Sequence, residues 1–156
     1  MDYKLVFLNE QKYMGIKTTI FFADHDNIDF RKLQLDVINS DITNRALNER
    51  FMAMDSDYQA DSFSYTPLVP VTSFEGEDFY RFTRVEGEYY CFEVRLEELG
   101  PQWFQKCFQY MEQNNLKIEG GFDLEYYPEG YMDSVKLEDT NRQNQTICLI
   151  FRKQDF

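Results

Sequence analysis

The clearest alternation of apolar and polar positions runs from Glu86 to Glu125 and reads as strand, helix, strand. Tyr90, Phe92, Val94 and Leu96 alternate with Tyr89, Cys91, Glu93 and Arg95, which is the period of a strand. Gly100-Pro101 then opens a helix, because proline at the first helical position gives up only an amide hydrogen that would be unpaired anyway. Phe104, Cys107, Phe108 and Met111 recur at helical spacing, with Gln102, Gln105, Lys106, Gln109 and Glu112 mostly on the wet side. Asn114-Asn115 and Gly120-Gly121 end the helix and turn the chain. In the returning strand Phe122, Leu124 and Tyr126 alternate with Asp123, Glu125 and Tyr127.

Earlier in the chain, Lys12 to Phe22 reads as one strand with Met14, Ile16 and Ile20 on a common face, followed by a polar break at 23–27. From Ile28 to Met54 the pattern is mixed. Phe30, Leu33 and Val37 suit a helix, though Leu33, Leu35 and Val37 also suit a strand. Leu47, Phe51 and Met54 are helically spaced, and few β-branched residues follow Asn44, so helix is favoured, with a break near Asn39 and Asp41 placed to cap a second piece. Asp55 to Ser62 reads as a polar loop. The strand from Phe63 to Thr72 carries Pro67 and Pro70, which point to an edge or a bulge.

A turn at Glu75 to Asp78 leads to a strand from Phe79 to Val85. Beyond Tyr127 come an acidic, polar loop from Pro128 to Gln145 and a last strand from Gln145 to Lys153. The order strand, helix, strand, strand therefore occurs twice. It predicts an α+β fold: one domain over residues 1–156, with halves at about 1–86 and 87–156. Its duplicated β-α-β-β units would form a pseudo-twofold antiparallel sheet with helices on one face.

Composition narrows the function. An apolar share of 43% and an aromatic share of 17% are ample for a packed core in 156 residues. Tyrosine serves best where its ring is buried and its hydroxyl meets a polar group or a ligand, although packing on sheets enriches the same residues. The net charge of −12 argues against nucleic acid and anionic membranes, and leaves a cationic small molecule or a basic protein partner open, as monomer or homodimer. No apolar run reaches the length of a membrane span, and the N-terminus does not read as a signal peptide. Cys91, Cys107 and Cys148 are odd in number and widely spaced, which fits buried, reduced cysteines of a cytoplasmic protein.

No cysteine pair has metal-ligand spacing, no glycine loop suits a phosphate, and no cofactor or metal is expected. His25, flanked by Asp24 and Asp26, is expected in a solvated turn. No standard nucleophile-histidine arrangement is visible along the chain.

Four stretches carry a resemblance: Gly15 to Thr18, Tyr89 to Phe92, the helix from Pro101, and Gly121 to Tyr126. In them the chain resembles the GyrI-like effector-binding domain family, which also forms the ligand-binding half of AraC-type and MerR-type multidrug regulators. It is also similar to small stand-alone Firmicute proteins of unknown function related to that family, some encoded beside secretion-system toxins. The resemblance implies that Glu125 is a pocket carboxylate; the plainer reading is the wet face of an alternating strand.

A carboxylate amid rings holds a flat cation by charge, stacking and cation–π contact. Tyr127, Tyr89, Tyr65 and Trp103 are expected near Glu125, with Phe92, which points the other way from Tyr89, in the core. The expected function is stand-alone, noncatalytic binding of a hydrophobic, cationic small molecule. One alternative is a hydrolase of strained-ring alkylating compounds using Glu125 and a tyrosine. Another is a partner or chaperone of a secretion-associated toxin, its groove filled by its own rings.

Overall fold

Among the described residues of the computed structural model, 1–137 and 145–155, nine strands form one continuous antiparallel sheet. They are β1 (Lys4–Leu8), β2 (Gln11–Gly15), β3 (Thr18–Phe21), β4 (Met52–Ser56), β5 (Ser62–Val71), β6 (Tyr80–Arg84), β7 (Gly87–Arg95), β8 (Asp123–Tyr126) and β9 (Thr146–Arg152). The helices are α1 (Phe30–Ile38), α2 (Pro101–Gln113) and α3 (Tyr131–Lys136). Strand order is β1-β7-β9-β8-β4-β5-β2-β6, with β3 also on β5.

In each half a strand leads through a helix to a second strand, and a third strand inserts between the two. The first half uses β2/β3, α1, β4 and β5; the second uses β7, α2, β8 and β9. They meet where Met52 to Asp55 of β4 pairs with Asp123 to Tyr126 of β8. This is the duplicated α+β architecture expected from the repeated element order.

Several local expectations are corrected. The strand expected from Lys12 to Phe22 is two strands, because Gly15 closes onto β5 and the chain then steps outward. A Cβ at Gly15 would lie 2.0 Å from the Pro67 carbonyl oxygen, so a side chain there has no room. Ile16 is consequently exposed, while Met14 and Ile20 stay in the core. The prolines do not make β5 an edge, since β4 lies on one side of it and β2 and β3 on the other. Pro67 sits opposite the step between β2 and β3. Pro70 lies beyond the last β4 pairing, where its carbonyl accepts from Ala46 N–H at 2.9 Å. Neither proline removes a donor that the ladder needs.

The second helical piece capped by Asp41 does not form. Asp29 caps α1 at its start, accepting from Lys32 N–H at 3.1 Å. Arg45 ends it by donating to the carbonyls of Ile38 (2.8 Å), Ser40 (3.0 Å) and Ile42 (3.1 Å). Lysine and arginine are suited to helix ends because those carbonyls lack partners. Phe51 and Met54, read as helical, belong instead to the approach and body of β4, and Leu47 is exposed. The polar stretch after Tyr127 contains the unexpected α3; its residues 138–144 lie outside the described set.

All three helices cover one face of the sheet. Val37, Cys107, Met111 and Val135 pack there on Phe51, Ala53, Tyr65, Phe92 and Leu149. The other face buries Tyr13, Met52, Met54, Tyr89, Leu124 and Ile150 without a helix. The sheet curls so that its own outer strands cover that side, through Val6 and Leu8 of β1 and Tyr80 and Phe82 of β6. Phe82 of β6 meets Phe122 edge-on at 5.5 Å.

Candidate functional site

The seam between the halves places three acids side by side. In the ladders Tyr65 of β5 faces Asp55 of β4, which faces Asp123 of β8; one row on, Ala53 faces Glu125. Side chains two apart on a strand share a face, so Asp55, Asp123 and Glu125 all point toward the helices. Their exposures are 4%, 2% and 4%, far below what acids normally show. The helix layer does not close over them. A cavity of about 420 Å³ remains, walled by Phe30 and Gln34 of α1, Pro101, Phe104 and Phe108 of α2, and Phe63, Tyr65 and Tyr127. The partly exposed rings Phe22, Tyr58 and Phe108 border it, so solvent reaches it.

Hydrogen bonds fix most of the polar wall. Tyr127 Oη donates to Glu125 Oε1 at 2.7 Å. Gln34 Nε2 donates to the hydroxyls of Tyr65 (2.9 Å) and Tyr127 (3.4 Å), and its Oε1 accepts from Tyr131 Oη at 2.7 Å. Tyr58 Oη donates to Asp123 Oδ2 at 2.5 Å. Asp55 Oδ2 is buried on the wall with no hydrogen-bond partner among the described residues. The rings are locked against one another, with Phe30 edge-on to Tyr65 at 4.9 Å and both Phe22 and Tyr58 stacked on Phe63.

Burial dominates the electrostatics. It pushes the Asp55 carboxyl well above the usual aspartate range, and the adjacent Glu125 adds to the effect. Asp123 is pushed up to about 6 by burial; the Tyr58 hydrogen bond opposes this and the Glu125 charge reinforces it. Burial and the Glu125 charge also keep the Tyr65 and Tyr127 hydroxyls protonated, and Tyr127 donates its proton to Glu125. Among the described residues no basic side chain is hydrogen-bonded to or paired with any of the three acids. No group of residues suited to a metal ion occurs among them either.

Of the residues expected at a ligand site, Glu125, Tyr127 and Tyr65 come together on this cavity. Tyr89 and Trp103 do not. Tyr89 lies on the opposite face of the sheet, donating to the Val85 carbonyl at 2.6 Å. Phe92 is the β7 residue on Glu125's face, since both pair with Leu149, and it is fully buried core. Trp103 packs into the helix layer away from the cavity. His25 is corrected: rather than standing in solvent, its ring lies 5.3 Å from Phe30 on the cavity wall.

Asp55, Asp123, Gln34 and Tyr58 were not anticipated. Asp123 alternates with Leu124 in the same pattern as Glu125, and that was the available signal. Asp55 stood at the edge of a stretch read as loop, and nothing in its neighbours marked it.

No protein-family model and no characterised protein sequence matches the chain. Solved structures do, and they define the class of fold first: that of the GyrI-like effector-binding domains. The chain matches SAV2435, solved bound to tetraphenylphosphonium, with a TM-score of 0.66 and 17% identity over 99% of this chain and 94% of that one. It matches the EcmrR C-terminal domain with a TM-score of 0.66 and 11% identity over 100% of both chains. A protein from Staphylococcus aureus MU50 matches with a TM-score of 0.62 and 18% identity over 99% of both.

Proposed function

We propose that this protein binds hydrophobic organic cations in the cavity at the seam, with Glu125 and Asp55 supplying charge and the surrounding rings supplying stacking surface. The observation that carries the reading is the pair of buried acids Asp55 and Glu125 on an aromatic-walled cavity, with Asp123 buried beside Asp55 and no basic partner for any of the three among the described residues. Buried charge without a partner is costly, and a cation with aromatic substituents relieves that cost while burying apolar area. The volume lies in the range of small-molecule sites. Tetraphenylphosphonium, bound by SAV2435, has this chemistry.

The test is a thermal-shift and calorimetric titration with tetraphenylphosphonium and with neutral triphenylphosphine oxide. A ligand that binds only the folded state raises the melting temperature, and a hundredfold excess over Kd contributes about 2.7 kcal/mol. The cation is expected to stabilise wild type and to lose at least tenfold in affinity with Glu125→Gln, while the neutral compound does neither. Equal binding of the two compounds would remove the role of charge.

A hydrolytic second reading is favoured by the Tyr127–Glu125 pair at 2.7 Å, a donor and a carboxylate facing one cavity. Turnover of an aziridine by wild type and not by Glu125→Gln would support it. The reading as a toxin partner required a groove filled by its own rings, and the open cavity favours a ligand instead.

A further inference from the structure

We propose that the seam cavity is a proton-for-cation exchange site: in the empty protein a proton is shared between Asp55 and Glu125, and an arriving organic cation displaces it. The inference rests on the cation-binding reading and adds what binding must release.

The geometry leaves Asp55 Oδ2 few choices. It is buried and has no donor among the described residues. Its neighbours Glu125 and Asp123 are also acids and, when ionised, can only accept. The nearby hydroxyls are already engaged, Tyr127 on Glu125 and Tyr58 on Asp123. Tyr131 donates to Gln34, and Tyr65, which accepts from Gln34, makes no hydrogen bond to Asp55 Oδ2. One proton placed between Asp55 and Glu125 turns two mutually repelling acceptors into a hydrogen-bonded pair and gives Asp55 the donor it lacks.

The other charged and titratable groups around the cavity do not replace that proton. The Arg31 guanidinium on α1 donates to the Val135 carbonyl at 2.6 and 3.1 Å. His25 stands at the rim, 3.7 Å from Asp26 and against the Phe30 ring. The Cys107 thiol of α2 is pushed up to about 12 by burial, aided by the Asp123 charge, and stays neutral. A ligand cation entering beside the acids supplies the missing positive charge. The shared proton then lowers the attraction between site and ligand, and leaves to solvent. Asp123 acts in the same direction: its burial holds part of its population protonated near pH 6, and a cation ionises it.

Ethidium tests this, because its charge does not change with pH. Wild type is titrated by calorimetry from about pH 5 to about pH 8 in pairs of buffers that differ in ionisation enthalpy. The apparent heat should vary with the buffer, with a slope corresponding to release of about one proton per cation near neutral pH and toward about two near pH 5, where Asp123 contributes, and affinity should rise by about tenfold or more per pH unit. Asp55→Asn keeps a donor toward Glu125 without a proton to lose and should lower the proton count. Combining it with Asp123→Asn should bring the count near zero, and the weaker ethidium binding that Glu125 still supports should lose its pH dependence. His25→Gln should leave the count unchanged.

Binding without buffer or pH dependence would overturn the exchange and leave the cation site standing. A proton count lost in His25→Gln and kept in Asp55→Asn would also overturn it. Absence of ethidium binding at every pH would overturn both readings. Should the asparagine variants fail to fold, the wild-type buffer dependence and the His25→Gln control decide the matter.

Discussion

The two faces of the sheet each bury charge, and they handle it in opposite ways. On the helix-free face Arg84 is 1% exposed, yet its guanidinium donates to Glu49 Oε2 at 3.0 Å, to the Asn9 carbonyl at 2.9 Å and to Tyr13 Oη at 3.3 Å. It lies over the Tyr13 and Tyr126 rings, and Tyr126 Oη donates to Glu49 at 2.6 Å. Positive and negative charge are matched there. On the helix-covered face three acids meet without a basic partner among the described residues, beside an open cavity. A neutralised cluster holds a fold together; an unbalanced one gives up stability for a site that something else must complete. That contrast separates structural from functional buried charge in this protein.

Breaking the balanced cluster should cost most. Arg84→Ala leaves Glu49 facing two tyrosines and opens a void, and is expected to destabilise the protein by about 4 kcal/mol, in the range for breaking a buried pair, as measured by urea unfolding.

The second prediction concerns sign. Asp123 has its carboxyl raised to about 6 in the fold from the usual 3.8, so its contribution is fully present below 3.8 and is lost as pH climbs toward 6, at most about 3 kcal/mol. Burial also pushes Glu49 upward, but the hydrogen bonds from Tyr126 and Arg50 and the charge of Arg84 outweigh it and hold Glu49 low. Its contribution, about 1 kcal/mol, is present above 4.5 and fades on acidification. Unfolding curves from about pH 3 to about pH 7 should therefore flatten on the neutral side with Asp123→Asn and on the acid side with Glu49→Gln. The same change in both variants would erase the distinction.

The smallest effect uses cysteines as local reporters of the two faces. Cys148, partly exposed beside Arg50, has its thiol pulled down to about 7, first by a hydrogen bond from Cys91 and then by the Arg50 charge. Cys107, on the side of the acids, is pushed the other way. Iodoacetamide near neutral pH should label Cys148 well before Cys107, as read by peptide mass spectrometry. Labelling of Cys107 first would contradict the assigned fields.

The sequence made the architecture legible wherever one face of an element was wet or one period unmistakable, as in β7, α2 and β8. It hid β4. Phe51, Met52, Ala53 and Met54 are buried on both faces, so no alternation survives, and the helical spacing of Leu47, Phe51 and Met54 with few β-branched residues argued for helix against the tertiary contacts that decide the outcome. With β4 misread, Asp55 could not be placed beside Glu125, and the site reduced to one acid from the second half. Parity along β8 did show that Asp123, Glu125 and Tyr127 share a face. It could not show that the face is dry, because period describes grouping and burial is set by what packs above. Tyr89 was associated with Glu125 for a similar reason: which face of β7 matches which face of β8 depends on the β9 register between them.

The placement of β1 also constrains how the chain is made. This first strand belongs at the outer edge of the second half, where Lys4 to Leu8 pairs with Cys91 to Gly87. On a ribosome it must therefore wait, unpaired, until nearly the whole first half and then β7 have emerged, holding Leu5 and Phe7 beside an open strand edge throughout. An N-terminal segment long enough to hinder that docking would therefore act on the pairing of β1 with β7 during assembly.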